Sequence, residues 1–395
     1  MEPLPRPRVV TGQQIGAGWT PALSVVKALT ALAEARRLGG EAFYWMADED
    51  HDHLEVASTV ALREGRILRH RFRFQAPENT ATGWLPWTRA HQEEAEGLWG
   101  PVPEPQAPTL RGHALALGRP LWDRGLRPFS PTDPALRNPI QEELARWRSL
   151  DLETGLIRQA QALEQAGVRL ALDPRQQASW FSLDFTTGKR QRLEPGDPCP
   201  AGSWLSPGAA LRPLMQSLLI PDLAAVVLGP GERAYWRLTE PCWERVGLEP
   251  PRIISRPTVF TIPSGLHLEV PQLEALRLGD WGSFLRPAGG DLPMPSRALA
   301  GVPDPGWDPA LAARFARELD RTRQRLAKLD RRLWRDEAAR TLGADPERLR
   351  QLLFPLGRPQ ERVLPGLFWL RHDELLDRML GDLPGGPGTL LLEAP

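Results

Sequence analysis

The chain has 395 residues, and its 49 basic side chains balance 49 acidic ones, so the formal net charge is zero. That length suggests two or three domains or one elaborated α/β unit, and the balance argues against a general nucleic-acid binder, which carries a basic excess. A hydrophobic share of 41% with 15 Trp supplies a sizeable core and excludes wholesale disorder. Two cysteines, Cys199 and Cys242, make neither a disulfide framework nor a four-thiolate zinc site. The first seven residues hold no apolar signal region, and no window approaches 18 consecutive apolar residues. The expectation is a soluble, cytoplasmic protein with no membrane partner. Only Lys27, Lys189 and Lys328 are lysines, so 46 of the basic residues are Arg. With 42 Pro and two Asn, this fits heat adaptation or a GC-rich genome.

In chain order, Arg8-Val9-Val10 reads as a short strand, followed by the glycine-rich loop Thr11–Gly18. Thr20 and Pro21 fit the N-cap and first position of a helix. Ala22, Val25, Val26, Leu29, Leu32 and Ala33 recur at helical spacing until Gly39-Gly40. The unbroken apolar run Ala42–Ala47 reads as a strand buried on both faces. Residues 75–135 are rich in Pro and Gly and read as an irregular insertion. Asn138-Pro139 predicts a long helix through about Ala166, and Trp180–Leu193 alternates about Thr187-Gly188 as a hairpin. A second α/β half follows: a short helix from Leu211, a buried strand Ala224–Leu228, the turn Gly229–Glu232, a helix from Glu232 to about Val246, and the strand Arg252–Ile254. Asp308-Pro309 then opens an Arg-rich helix with the apolar stripe Leu311, Phe315, Leu319, Leu326, Leu329 and Leu333, and Asp345-Pro346 opens another. The divisions expected are 1–75 and 206–300 for the two core halves, 76–205 for the insertion and 301–395 for a helical, short coiled-coil region. That stripe is too short for a coiled coil on its own and is expected to pack on its own chain, giving a monomer or a weak homodimer.

Ligands of open parallel sheets sit outside the carboxyl ends of strands. Two polar clusters fall there. In the first loop, Gly12 and Gly16 let backbone turn toward a ligand, and Gln13 and Gln14 suit hydrogen bonding to a polar one. Its glycines match neither G-x-G-x-x-G nor a P-loop. The second cluster, Asp48-Glu49-Asp50-His51-Asp52-His53, is the densest titratable run in the chain. Four carboxylates in six residues repel one another unless something neutralises them. Three readings stay open: a cation held by Asp50, His51 and His53, an amine substrate with His51 as acid or base, or a solvated helix start. A further candidate anion site is Gly229-Pro230-Gly231-Glu232 with Tyr235, and Arg212 before it is placed to clamp a carboxylate or phosphate. His70, His91, His113, His267 and His372 are isolated and receive no role.

Four blocks in order resemble the bacillithiol synthase family, the cysteine ligases of bacillithiol biosynthesis. They are Val10–Gln14; Trp45–Asp52; Leu211–Leu214 through Gly229–Trp236; and Leu353–Pro355 through Pro359–Val363. The resemblance implies a Rossmann-like α/β core of the class I synthetase kind, a helical coiled-coil element, and joining of L-cysteine to glucosaminyl-malate. An amide does not form from a free carboxylate at neutral pH, so ATP or another nucleotide is expected as activator. Backbone amides at Gly12–Gly16 and Gly229–Gly231 would take the phosphate charge. Asp48, Glu49, Asp50 and Asp52 would hold the ammonium group, and His51 would take the amine proton. The synthetase signatures H-I-G-H and K-M-S-K-S are absent. Alternative functions are a non-catalytic binding or scaffold paralogue and a metal-dependent hydrolase using the Asp/His cluster.

Overall fold

The computed structural model describes residues 6–63, 66–263, 266, 268, 270–278, 280–284 and 307–393. His267 lies outside them. The chain divides into two units, Met1–Phe260 with Gln360–Glu393, and Thr261–Pro359.

The first unit is built on parallel strands. In chain order the strands up to Ser255 are β1 (Arg8–Gln13), β2 (Glu41–Met46), the hairpin β3 (Ser58–Arg63) and β4 (Arg66–Arg71), β5 (Leu126–Phe129), β6 (Trp180–Asp184), β7 (Arg190–Arg192), β8 (Ser203–Pro207), β9 (Leu223–Leu228) and β10 (Arg252–Ser255). Five of these form one sheet in the order β10-β9-β1-β2-β5, every pair parallel. The unbroken apolar runs of β1, β2 and β9 follow from burial on both faces. Val9, Ala42, Tyr44, Met46, Ala225 and Val227 pack in one core with the helix Leu23–Leu38. Their neighbours Val10, Trp45, Ala47, Val226 and Leu228 face the other, with the helices Gln141–Arg148, Leu152–Gln165 and Arg212–Leu219. This is the period-two alternation of a strand distributing side chains between two layers. The architecture is α/β and Rossmann-like, as expected.

Several boundaries differ from expectation. The first helix starts at Leu23 with Ala22 as its cap, because the Thr20 hydroxyl bonds to the Ala17 carbonyl at 2.8 Å instead of capping. Gly39 ends it at φ 66°, the left-handed conformation glycine favours. Residues 75–135 are not an irregular insertion: they hold the helices Arg89–Trp99 and Leu110–Leu117 and also β5, which completes the core sheet beside β2. The long helix expected from Asn138 is broken, and Asp151 at φ 46° caps a new one at Leu152. The helix expected through Val246 ends at Trp236 and passes into a 3-10 stretch, Arg237–Cys242, that contains Pro241. The hairpin β6–β7 forms as predicted, and β8 adds to it as a third antiparallel strand.

The second unit is helical among its described residues. Its main element is a 34-residue helix, Pro309–Leu342, in which the Asp308 carboxylate accepts from the amides of Ala310 and Leu311. Leu311, Leu329 and Leu333 are 46%, 42% and 40% exposed, so the stripe expected to pack on its own chain stays open at these positions.

Candidate active site

From β1 the chain winds through β2 and β5 to one side of the sheet, and β9 and β10 lie on the other. The carboxyl ends of β1 and β9 therefore flank a crevice at a topological switch point, where open α/β sheets bind ligands. A cavity of about 180 Å³ lies there, walled by Gln13, Gln14, Glu55, Arg212, Glu232 and Tyr235. A second cavity of about 460 Å³, walled by Asp50, His51, Asp52, Gln177, Phe181 and Arg190, shares Gln14, Arg212 and Tyr235 with the first. The two expected clusters do meet at one edge.

The glycines of the first turn serve the path of the chain. A Cβ on Gly12 would lie 2.6 Å from the Trp45 carbonyl oxygen, so only glycine lets β1 approach β2 this closely. On Gly16 a Cβ would lie 2.5 Å from the Thr20 carbonyl, and the Gly16 amide is engaged by the Gln14 carbonyl at 3.1 Å. The second turn also departs from its expected role. Glu232 turns back to accept the Gly229 amide at 2.7 Å, so a carboxylate of the chain itself occupies the place expected for a phosphate. Gly231 has open space around it, and Gly229 is held by its own cap.

The acidic run divides in two. Asp48 is wholly buried, and its Oδ2 accepts from Ser130 at 2.6 Å and Thr132 at 3.2 Å and pairs with Arg111 at 3.2 Å. Burial pushes its carboxyl up to about 6, against the pull of Arg111. Glu49, 1% exposed, meets Arg212 at 3.3 Å. Asp50 accepts from Arg212 at 2.9 Å and lies 3.6 Å from Arg190. Burial would raise the Asp50 carboxyl, yet Arg212 and Arg190 outweigh it and hold the group well below the usual carboxylate range. The neutralising partners expected from a cation or an ammonium ligand are thus arginines of the chain.

The following residues form the rim. Asp52 caps the short helix His53–Ala57 by accepting from Glu55 at 3.0 Å. The His53 Nε2 donates to the Thr80 carbonyl at 2.7 Å. His51 Nδ1 lies 3.3 Å from the Arg190 guanidinium, which has no acceptor atoms, so Nδ1 accepts and the ring proton sits on Nε2. Burial and then Arg190 lower the His51 value, which favours the neutral ring. His51 therefore presents an N–H rather than the free base expected of it. Asp50 and His51 share Arg190 while His53 turns to Thr80, and among the described residues no group of three His, Cys, Asp or Glu is placed to hold a metal ion.

Five participants escaped sequence reading: Lys27, Glu55, Arg111, Arg137 and Arg190. Arg190 comes from the inserted hairpin, with its guanidinium 4.0 Å from the Phe181 ring centre. Arg137 is wholly buried beneath the acidic run, donating to the Leu205 carbonyl at 3.2 Å, and burial lowers it to about 10. Among 46 arginines no local pattern marks these. Glu55 was legible in principle, three residues beyond its cap Asp52.

Residues 200–257 match the family described as "Bacillithiol biosynthesis BshC, N-terminal Rossmann-like domain". Two Thermus thermophilus proteins, from different strains, are 30% and 31% identical to the chain over 434 aligned residues, covering 94% of it and 85% of each relative. The chain belongs to the BshC family. Both relatives carry the name "Putative cysteine ligase BshC". A Chlorobaculum tepidum protein of the same name is 27% identical, over 65% of this chain and 54% of its own length. The family match spans β8, β9, β10 and Arg212, so it covers one wall of the crevice directly. Among the described residues of this family member, no helix is long and apolar enough to cross a membrane.

Proposed function

We propose that the protein is a cysteine ligase of bacillithiol biosynthesis that joins the carboxyl group of L-cysteine to the amine of glucosaminyl-malate. The observation that carries this reading is the pair of unequal cavities meeting at Arg212. The smaller is of amino-acid size, and Gln13, Gln14 and Arg212 offer its polar contacts. The larger is rimmed by Arg190, Arg212, Gln177 and the His51 N–H, which suits an acid-bearing sugar.

A nucleotide such as ATP would supply the activation that turns the cysteine carboxylate into a reactive acyl group. The amine of glucosaminyl-malate then attacks the acyl carbon, the activating group leaves, and the amine gives up a proton. Glu55 is the carboxylate placed to take it. It lines the smaller cavity and receives the Gln13 amide at 3.4 Å. Loss of hydration where this otherwise exposed side chain faces the crevice, with Asp52 and Asp50 close by, raises its value and makes it a better acceptor than an ordinary glutamate. His51 and Arg190 hold the second substrate, and Asp48, Glu49 and Asp50 fix the arginines.

Purified protein given L-cysteine, glucosaminyl-malate and ATP should form the amide, detected by mass spectrometry, and should consume ATP only when both substrates are present. Absence of product with every nucleoside triphosphate and common divalent metal would reject this reading.

A further inference from the structure

We propose that Lys27 is a positioning residue of the ligase pocket, tying the turn after β1 to the turn after β9 and so fixing the two walls of the crevice relative to each other. This rests on the cysteine-ligase reading only for its kinetic readout.

Lys27 sits on the helix Leu23–Leu38 and is 0% exposed. It lines neither cavity, so it acts through other groups. An ammonium has three donors and no acceptor, and here all three are engaged: with the Gly12 carbonyl, with Gln13 Oε1 at 3.3 Å and with Glu232 Oε1 at 2.6 Å. The second carboxylate oxygen of Glu232 takes the Gly229 amide at 2.7 Å. One unbroken path thus runs from the end of β1 through Lys27 and Glu232 to the end of β9, joining Gly12, Gln13 and Glu232 of the smaller cavity's wall.

Two further facts separate this from an ordinary core ion pair. An isolated charge is costly to bury, and a buried pair recovers that cost only when its remaining donors and acceptors are satisfied. Of the three lysines in a chain with 46 arginines, Lys27 alone is buried, Lys189 and Lys328 being exposed. A compact ammonium directs donors at three converging acceptors, which the planar fork of an arginine does not match. Lys27 also decides how Gln13 lies. By taking Oε1 it leaves the amide NH₂ to face Glu55, so the tie extends to the carboxylate assigned the amine proton.

The test is Lys27→Met, with Glu232→Gln as the second variant approaching the same tie from the other wall. Each should lower kcat tenfold or more, and for Lys27→Met, which changes no cavity-lining residue, KM for cysteine should move less than threefold because the contact groups remain and only their mutual placement is lost. Amide hydrogen exchange should quicken at both Gly12–Gln14 and Gly229–Arg233 in each variant, although these turns are more than two hundred residues apart in sequence. The double variant should be no worse than the poorer single one. If Lys27→Met fails to fold, Glu232→Gln decides alone. Exchange that quickens at one turn only, unchanged kcat, or losses that add in the double variant would overturn the proposal. Should the wild-type protein form no cysteine amide, the activity reading fails, and the exchange linkage still decides whether the tie exists.

Discussion

Asp48–Asp50 and His51–Glu55 are adjacent in the chain and opposite in fate. Asp48 and Glu49 are buried and Asp50 half-buried among Arg111, Arg190 and Arg212, while His51, Asp52 and Glu55 line the cavities, Asp52 also capping a helix. A dense acidic run is thus two devices in series: an internal counter-charge that sets arginines in place, and a rim that meets the reactants. The rule is that carboxylates closest to a strand end are claimed first by the chain's own cations. Those one turn later remain for chemistry.

The sharpest way to break this comparison is Arg212→Ala. It strands Glu49 and Asp50 without their shared partner, and breaking a partly buried pair of this kind costs about 3–5 kcal/mol. Denaturant titration should show that loss, with turnover abolished as well. A small stability change would mean that water already neutralises the buried half.

Next in size is Glu55→Gln, which keeps shape and removes the proton acceptor. Loss of a general base lowers kcat by about 100-fold or more, with stability within about 0.5 kcal/mol because the side chain is exposed. Turnover that survives would move the base elsewhere on the rim.

His51 distinguishes donor from base. His51→Gln retains an N–H near the ring's Nε2 and should keep turnover within about tenfold of wild type, whereas His51→Ala should fall further. Equal losses would restore the base role. Because burial and Arg190 lower the His51 value, the ring gains its proton at a more acid pH than the ordinary histidine value of about 6.5. The decline of its contribution to kcat/KM is therefore centred below that point. A decline centred at or above 6.5 would contradict the Arg190 contact.

The smallest effect is expected from Asp52→Ala, which removes a helix cap worth about 1 kcal/mol and, by weakening the upward push on Glu55, lowers turnover by no more than about fivefold. A larger loss of kcat would move Asp52 from scaffold to chemistry.

Much of the core was legible because β1, β2 and β9 are apolar runs that end in glycine or acid. The position of the crevice followed from those ends alone. β5 was missed because Leu-Arg-Pro-Phe is four residues long and its two central residues point outward at an edge. The helix expected through Ala166 was over-extended because Asp151 is polar in either setting, and only its left-handed backbone reveals the break. The partners of the acidic run were not legible. Arg190 reaches His51 across 139 positions, and in so arginine-rich a chain its type carries no signal. Glu232 misled in the other direction: glycine before a helix looks like an anion site until its own carboxylate is seen to fill it.

The inserted hairpin sets an order of events on the ribosome. Asp48, Glu49 and Asp50 leave the tunnel long before the chain reaches Arg190 and Arg212. At about 5–20 residues per second, the 139 positions between His51 and Arg190 take roughly 7 to 28 s to make. For that interval the nascent acidic run repels itself and lacks at least two of its three paired arginines, so the carboxyl edge of β2 has reason to stay hydrated and open. Closure waits for the hairpin. A nascent chain halted between β2 and the hairpin should therefore leave this edge accessible to protease, and one carried past Arg212 should protect it.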